Sequence, residues 1–322
     1  MRWYIGLVIL AVLVIGGVWF AEKYSYEQMA GPASKPTVVL IRPGTSVAEI
    51  GGQLKAANVI ADDRLFAIGL RLRARAGQLK AGEYEFPAHA TMAQVASLMV
   101  EGKSLQHKLT VAEGLTSQMA YDLVKADPIL TGDPGPVPDE GTLLPETYLF
   151  IRGTTRAELL TRMHVAQTKF IDSHWDARTP GLPYGTKDEM TVLASIVEKE
   201  TGIPSERAHI AGVFVNRLKT GTRLQSDPTI IYGITRGYPL GRRIKESEIA
   251  MVTPYNTYVI PGLPSSPICN PGKDAILAAL KPQSTQDVYF VANGTGGHVF
   301  ARTIEDQNRN VAAWRKIHNV QN

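Results

Sequence analysis

The chain has 322 residues, of which 44% are apolar, with 34 lysines and arginines against 30 aspartates and glutamates. This composition excludes a disordered chain, a collagen-like repeat and a polytopic membrane protein, and the length favours about two domains. The net charge of +4 is small for this length, so we expect no nucleic acid partner. The single cysteine, Cys269, excludes an internal disulfide framework and a cysteine-based zinc site.

The first twenty residues predict a transmembrane helix. No charged residue occurs from Trp3 to Phe20, and eighteen helical residues span about 27 Å, close to the ~30 Å core of a bilayer. A cleaved signal peptide and a buried core helix are the alternatives, but bulky aromatic residues occupy the only plausible cleavage position, before Glu22. We therefore expect an uncleaved anchor over residues 1–21. The flanking charges weakly favour an amino terminus inside and the body of the protein outside.

A polar linker over residues 22–36 and a small α+β module over 37–105 are predicted next. The module's elements are a strand at 37–41, a helix at 47–56 with Thr45 as its N-cap, a helix at 63–76, a strand at 83–86 and a helix at 91–101. Alternation of polar and apolar residues indicates the strands, and capping residues with a 3.6-residue period indicate the helices.

A larger α+β domain is predicted over residues 106–322. Its elements are a strand at 107–113, helices at 156–173, 187–200 and 205–219, a hairpin of strands at 288–292 and 298–302, and a helix at 304–317. The segment 223–271 is rich in proline, glycine, threonine, tyrosine and asparagine. This segment is too polar to form part of a core and too long to be a simple connecting loop, so we expect it to contain functional residues.

Several chemistries are excluded by their missing motifs. The seven histidines form no HExxH pair and no cluster with carboxylates at ligand spacing, so no metal site is expected. No GxSxG motif, P-loop or dinucleotide fingerprint occurs, so neither a serine nucleophile nor a nucleotide cofactor is expected.

The helix predicted over 187–200 carries the best catalytic candidate. With residues placed at 100° steps, Glu200 falls on the apolar face, whereas Glu198 falls on the far side and is expected to be an ordinary exposed carboxylate. Burial and the negative end of the helix dipole would both raise the pKa of Glu200, which suits a general acid. The alternative is a structural ion pair of Glu200 with Arg207 or Arg217.

Six ordered blocks then show a resemblance to a known family. They are Ser195-Ile-Val-Glu-Lys-Glu-Thr201, Val215-Asn-Arg-Leu218, Leu224-Gln-Ser-Asp-Pro-Thr-Ile-Ile-Tyr-Gly233, Thr253-Pro-Tyr-Asn-Thr-Tyr258, Gly262-Leu-Pro264 and Gly296-Gly-His-Val-Phe300. Together they resemble the MltG (YceG-like) endolytic murein transglycosylases over nearly the whole chain. The resemblance implies an anchor, a LysM-like module and a catalytic domain with a lysozyme-like catalytic helix.

The resemblance also implies a reaction. Glu200 would protonate the oxygen of the β-1,4 bond between N-acetylmuramic acid and N-acetylglucosamine, then accept the proton of the C6 hydroxyl, which attacks C1 and forms a 1,6-anhydro end. Glu146, Gln225 and Asn256 are candidates for hydrogen bonds to the sugars, although they could equally hold their own loops together. No cofactor is needed. Peptidoglycan strands are the implied substrate, peptidoglycan synthases the implied membrane partners, and the outer face of the cytoplasmic membrane the implied location.

Two other functions remain open from the sequence. The chain could be an inactive peptidoglycan-binding scaffold that tethers a synthase. It could also be a two-carboxylate muramidase, with Glu200 as acid and Asp227 or Glu146 as base or nucleophile. Asp227 precedes a proline and is more simply explained as a turn residue. Replacing Glu198 by glutamine is expected to have little effect.

Overall fold

The computed structural model describes residues 2–320, which form a mixed α+β protein of twelve helices and six strands. The helices are α1 (Arg2–Glu27), α2 (Val47–Ala56), α3 (Asp63–Leu72), α4 (Met92–Glu101), α5 (Ser117–Ala126), α6 (Arg156–Trp175), α7 (Lys187–Glu200), α8 (Pro204–Thr220), α9 (Asp227–Thr235), α10 (Glu246–Ile249), α11 (Lys273–Leu280) and α12 (Ile304–Val320). The strands are β1 (Thr37–Ile41), β2 (Gly82–Phe86), β3 (His107–Thr110), β4 (Thr147–Phe150), β5 (Tyr289–Ala292) and β6 (His298–Ala301). They pair as β1 with β2, β3 with β4, and β5 with β6. The predicted α+β class is confirmed.

The contacts divide the chain into two compact units. The first comprises residues 1–107 and 149–153, and the second comprises 108–148 and 154–322. In the first unit, β1 and β2 are antiparallel, with Thr37 opposite Phe86 and Ile41 opposite Gly82. The side chains of α2, α3 and α4 that share the core of this unit include Leu54, Phe66, Leu70, Val95 and Met99.

Helix α1 begins as an exposed apolar segment and ends inside the first unit. From Trp3 to Glu27 it is the one helix within residues 2–320 that is long and apolar enough to cross a membrane, and none of its most apolar stretch is buried in the protein. It continues through the first six residues of the predicted linker. The reason is packing, because the buried Tyr26 ring stacks 6.5 Å from Phe66 and Gly69 leaves room for it.

The second unit is built around α7. Helices α8 and α11 pack against it, and the shared core contains Leu193, Ile196, Phe214, Ile276 and Leu280. Strands β5 and β6 form the predicted hairpin, in antiparallel register with Tyr289 opposite Ala301. Helix α12 packs on this hairpin.

The structure differs from the predicted elements at several places. The N-cap of α2 is Ser46 rather than Thr45, because only the Ser46 hydroxyl sits three residues before Glu49 and completes a capping box with it. The segment predicted as irregular, 223–271, contains α9 and the short α10. Helices α5 and α11 and strand β4 were not predicted at all.

Candidate active site

Helix α7 delivers Glu200 to its position as the last helical residue. A capping box between Thr186 and Glu189 starts the helix, and Thr201 ends it in extended conformation with φ −144°. Residues 190–197 are all buried, so the helix has no solvent face over two turns. Its carboxyl end is therefore held rigidly by the core, and Glu200 is presented from a fixed support.

The carboxyl of Glu200 accepts a hydrogen bond from the Ser226 hydroxyl. Burial, and to a smaller extent the charge of Asp227, raise the pKa of Glu200 from an ordinary 4.5 to about 7. The Ser226 bond and the charges of His298 and Arg217 oppose this rise without cancelling it. A carboxyl with this pKa holds its proton near neutral pH and can also release it, as a general acid that later acts as a base must.

Among the described residues, Glu200 forms no ion pair with Arg207 or Arg217, which was the alternative prediction. Arg207 instead pairs with Glu113, Glu198 and Asp274. Arg217 donates from Nε to the Val288 carbonyl and from a terminal nitrogen to the Leu224 carbonyl.

The loop before α9 forms one wall beside Glu200. The Ser226 amide donates to Thr257 Oγ1 at 2.9 Å, which fixes the serine that contacts the acid. Gln225 lies one residue earlier with φ +48°, a left-handed conformation that residues other than glycine rarely adopt. On the other side of Ser226, Asp227 accepts a 2.6 Å bond from the Tyr258 hydroxyl.

A histidine held by a carboxylate lies close enough to Glu200 to influence its pKa. Glu206 accepts from both His298 Nδ1, at 2.8 Å, and the His298 amide, at 3.0 Å. Burial opposes ionisation of Glu206, but these bonds outweigh it and lower its pKa, so Nδ1 is the donor. Phe290 lies edge-on to the imidazole at 5.3 Å, and a side chain at Gly297 would strike Glu206. The imidazole is thus held by Glu206 at Nδ1 and packed against Phe290.

The prediction that Glu198 is an exposed carboxylate was wrong. Its side chain is only 6% exposed, accepts from the Gly272 amide at 2.9 Å and lies 3.6 Å from Arg207. Burial, and next the charge of Glu113, raise its pKa. The helical wheel failed here because it assumes a solvent face, and α7 is surrounded by protein.

The three predicted sugar-binding residues lie in different surroundings. Gln225 is exposed and directly precedes the serine that contacts Glu200. Glu146 pairs with Lys273, and no described contact joins it to Glu200. Asn256 is buried; its amide nitrogen lies within 3.2 Å of the carbonyls of Glu248, Ile249 and Met251. This placement favours a loop-holding role for Asn256 over sugar binding.

Ser226, Glu206 and His298 were missed as site residues. Ser226 and His298 do lie within two of the six blocks, which was the available signal, but the partner Glu206 is 92 residues from His298 in the chain. Among residues 2–320, no group of three or more histidine, cysteine, aspartate or glutamate side chains is placed to hold a metal ion.

The structure is that of a mixed α+β protein that presents a high-pKa glutamate at the end of a buried helix. Comparison with known proteins identifies its family. Residues 39–313 match the YceG-like family, so the chain belongs to that family and the predicted resemblance is confirmed. A crystal structure of a YceG-like protein from Listeria monocytogenes superposes with a TM-score of 0.53 at 29% identity, covering 86% of this chain and 99% of that one.

Two curated relatives carry the name endolytic murein transglycosylase. The Bacillus subtilis (strain 168) protein is 27% identical, and the alignment covers 92% of this chain and 90% of that protein. The Streptococcus pneumoniae (strain D39) protein is 28% identical over 95% of this chain, which spans 64% of that longer relative.

Proposed function

We propose that this protein is a peptidoglycan lytic transglycosylase, an enzyme that cleaves the bond between N-acetylmuramic acid and N-acetylglucosamine inside glycan strands. The observation that carries the proposal is the Glu200 carboxyl, whose pKa of about 7 fits an acid that must donate and then accept a proton. The names of the curated relatives supply the substrate class. Cleavage of nascent strands would terminate them or set their length.

In the proposed reaction, protonated Glu200 donates to the glycosidic oxygen as its bond to C1 of the muramic residue breaks. The resulting carboxylate then accepts the proton of the C6 hydroxyl of the same residue, whose oxygen bonds to C1. The product is a 1,6-anhydro ring, and no water is consumed. Because the nucleophile belongs to the substrate, a second enzyme carboxylate is not obligatory, and ring closure gains a large proximity advantage.

Product analysis tests the reaction. Digestion of uncross-linked strands by the full chain in detergent micelles is expected to give 1,6-anhydro ends, which mass spectrometry distinguishes from reducing ends by the loss of one water. Reducing ends would instead support a muramidase in which Asp227 activates water, since Asp227 is close enough to raise the pKa of Glu200. Absence of cleavage would favour a non-catalytic scaffold.

The remaining parts of the chain have proposed roles around this reaction. Helix α1 would be a single-pass anchor in the cytoplasmic membrane, with the catalytic unit outside, where its substrate lies. The module at residues 37–105 would be LysM-like and contact glycan, and α7 would correspond to a lysozyme-like catalytic helix within the domain 106–322. Peptidoglycan synthases in the same membrane would be partners.

Replacing Ser226 by alanine is expected to move the alkaline limb of the kcat/KM profile to higher pH by up to about one unit. The Ser226 bond stabilises the Glu200 anion and lowers its pKa, so its loss raises that pKa. Glu200 must be protonated to start the reaction, so activity falls as pH rises through this pKa. The measurement is kcat/KM between pH 5 and 9.

The matched control is Ser195→Ala. The Ser195 hydroxyl, on α7, is buried like that of Ser226. It donates to the Val192 carbonyl and accepts from the Ile268 amide, so the alkaline limb of the kcat/KM profile should keep its midpoint in Ser195→Ala. An unchanged or lowered midpoint in Ser226→Ala would contradict the assignment of that limb to Glu200.

A further inference from the structure

A cavity of about 610 Å³ lies in the second unit, on the amino-terminal half of α7. Its walls come from the loop at 139–142, the middle of α6, α7 and the tyrosines of two neighbouring segments. Val192 in its wall precedes Glu200 by eight residues, which is about 12 Å along the helix axis. The cavity therefore lies about two helical turns from Glu200 and shares none of its contacts.

The charge of this cavity is opposite to that of the chain. Four carboxylate side chains line it, whereas Lys187 is the one lysine or arginine in its wall. Lys187 pairs with Asp172 at 2.6 Å. This leaves Asp139 and Asp188 without a lysine or arginine partner in the wall, although the whole chain carries +4. Such a local excess favours a cationic ligand.

An unused acceptor in the wall also points to a ligand that donates hydrogen bonds. Gln167 is 2% exposed; its Nε2 donates to the Gly141 carbonyl at 3.0 Å, but its Oε1 has no partner among the described residues. A buried acceptor left without a donor is destabilising, and a ligand that donates to it removes that cost. Nearby, the Glu140 carboxyl accepts from the Ser117 amide and the Tyr232 hydroxyl, and burial raises its pKa.

The rest of the wall suits an aliphatic chain. Ile171, Val192 and Pro267 supply apolar surface. Tyr232 and Tyr255 meet edge to face at 4.9 Å and add aromatic surface. Apolar walls with a few convergent polar groups are typical of ligand sites.

We propose that this cavity binds an aliphatic primary ammonium group on the peptide of an uncross-linked peptidoglycan strand while the glycan of the same strand lies at Glu200. The proposal rests on the proposed function. A cross-link acylates that amine and converts the cation into a neutral amide. The acidic cavity would therefore distinguish uncross-linked from cross-linked strands by charge, and it would select the strands that have just been made.

The test compares two polymers that differ only at this amine: uncross-linked strands with free amines and the same strands after N-acetylation. Dissociation constants are measured with full-length Glu200→Gln in detergent micelles, so that no substrate is consumed. We expect binding of the free-amine strands to be about tenfold tighter, as one charged contact supplies. Equal dissociation constants for the two polymers would overturn the proposal.

Variants locate the effect. Adding Asp139→Asn and Asp188→Asn should bring the ratio of the two dissociation constants close to one, whereas Glu305→Gln, on α12 and outside the cavity, should keep it. A ratio that survives the double substitution would overturn the assignment to this cavity. A free-amine peptide without glycan should bind far more weakly than the strands; equal affinity would identify a soluble amine as the ligand and overturn the strand assignment.

Cleavage by the wild-type chain tests the proposed function separately from the role of the cavity. Failure to cleave either polymer would overturn the proposed function, while the ratio of dissociation constants would still decide the cavity. Cleavage of both polymers with equal dissociation constants would leave the proposed function standing and remove the cavity's role.

Discussion

Replacing Glu200 by glutamine is expected to lower the rate of glycan cleavage by roughly 10³-fold or more while the fold is kept. Glutamine has the shape of glutamate and its carbonyl can still accept from Ser226, but it has no acidic proton to donate. General acid–base catalysis by a positioned side chain is worth ~10²–10⁴-fold, and here one carboxyl performs both proton transfers. The measurement is the rate of release of soluble fragments from uncross-linked strands.

The stability of the same variant shows whether lost activity reflects lost structure. Burial raises the pKa of Glu200 from 4.5 to about 7, so the folded chain binds this proton more tightly than the unfolded chain does. Glu200 therefore lowers stability progressively as pH rises from about 4.5 to about 7. The variant lacks this penalty and should be at least as stable as the wild type at pH 8.

Glu189→Gln is the matched control on the same helix. Glu189 lies at the other end of α7, where its carboxylate caps the first turn, and glutamine can serve in the same capping box. Its activity should stay within about twofold of the wild type. Retained cleavage by Glu200→Gln, or an equal loss in Glu189→Gln, would remove Glu200 from the acid role.

Local signals in the sequence predicted much of the fold. Helix α7 was predicted with the bounds that the structure has, because a capping box precedes it and Gly202 follows it. Helix α11 carried no such signals. After Lys273 and Asp274 its residues are all apolar, and five of its eight residues are buried because α7 and α8 pack on it. Its position depends on tertiary contacts that no local pattern encodes.

Of the candidate site, the sequence allowed only the part carried by helix α7 to be predicted. The helical wheel placed Glu200 on the face that meets Ser226, but it placed Glu198 in solvent, where the structure has it buried. The carboxylate–histidine pair of Glu206 and His298 joins residues 92 positions apart. Such pairs form when the hairpin of β5 and β6 packs onto α8, so they follow from the fold and not from spacing.

The second large effect is expected for stability and concerns the buried charges beside α7. Arg207 is 9% exposed and lies 3.1 Å from Asp274, 3.3 Å from Glu113 and 3.6 Å from the buried Glu198. Replacing Arg207 by methionine keeps much of the side-chain volume but removes the cation. Removing one partner of a buried ion pair costs ~3–5 kcal/mol, because the other charge stays buried alone. We expect a loss of that size in the free energy of unfolding at pH 8.

The pH dependence and a double variant test this explanation. The pKa of Glu198 is raised, chiefly by burial, so this carboxyl takes up a proton readily as pH falls, and a neutral carboxyl needs no cation. The loss caused by Arg207→Met should therefore shrink between pH 8 and pH 5. Adding Glu198→Gln should restore much of the lost stability at pH 8, because it removes the orphaned charge. Denaturant unfolding of the full chain in micelles measures both effects. A loss independent of pH and unrelieved by Glu198→Gln would mean that Arg207 stabilises the unit through packing instead of charge.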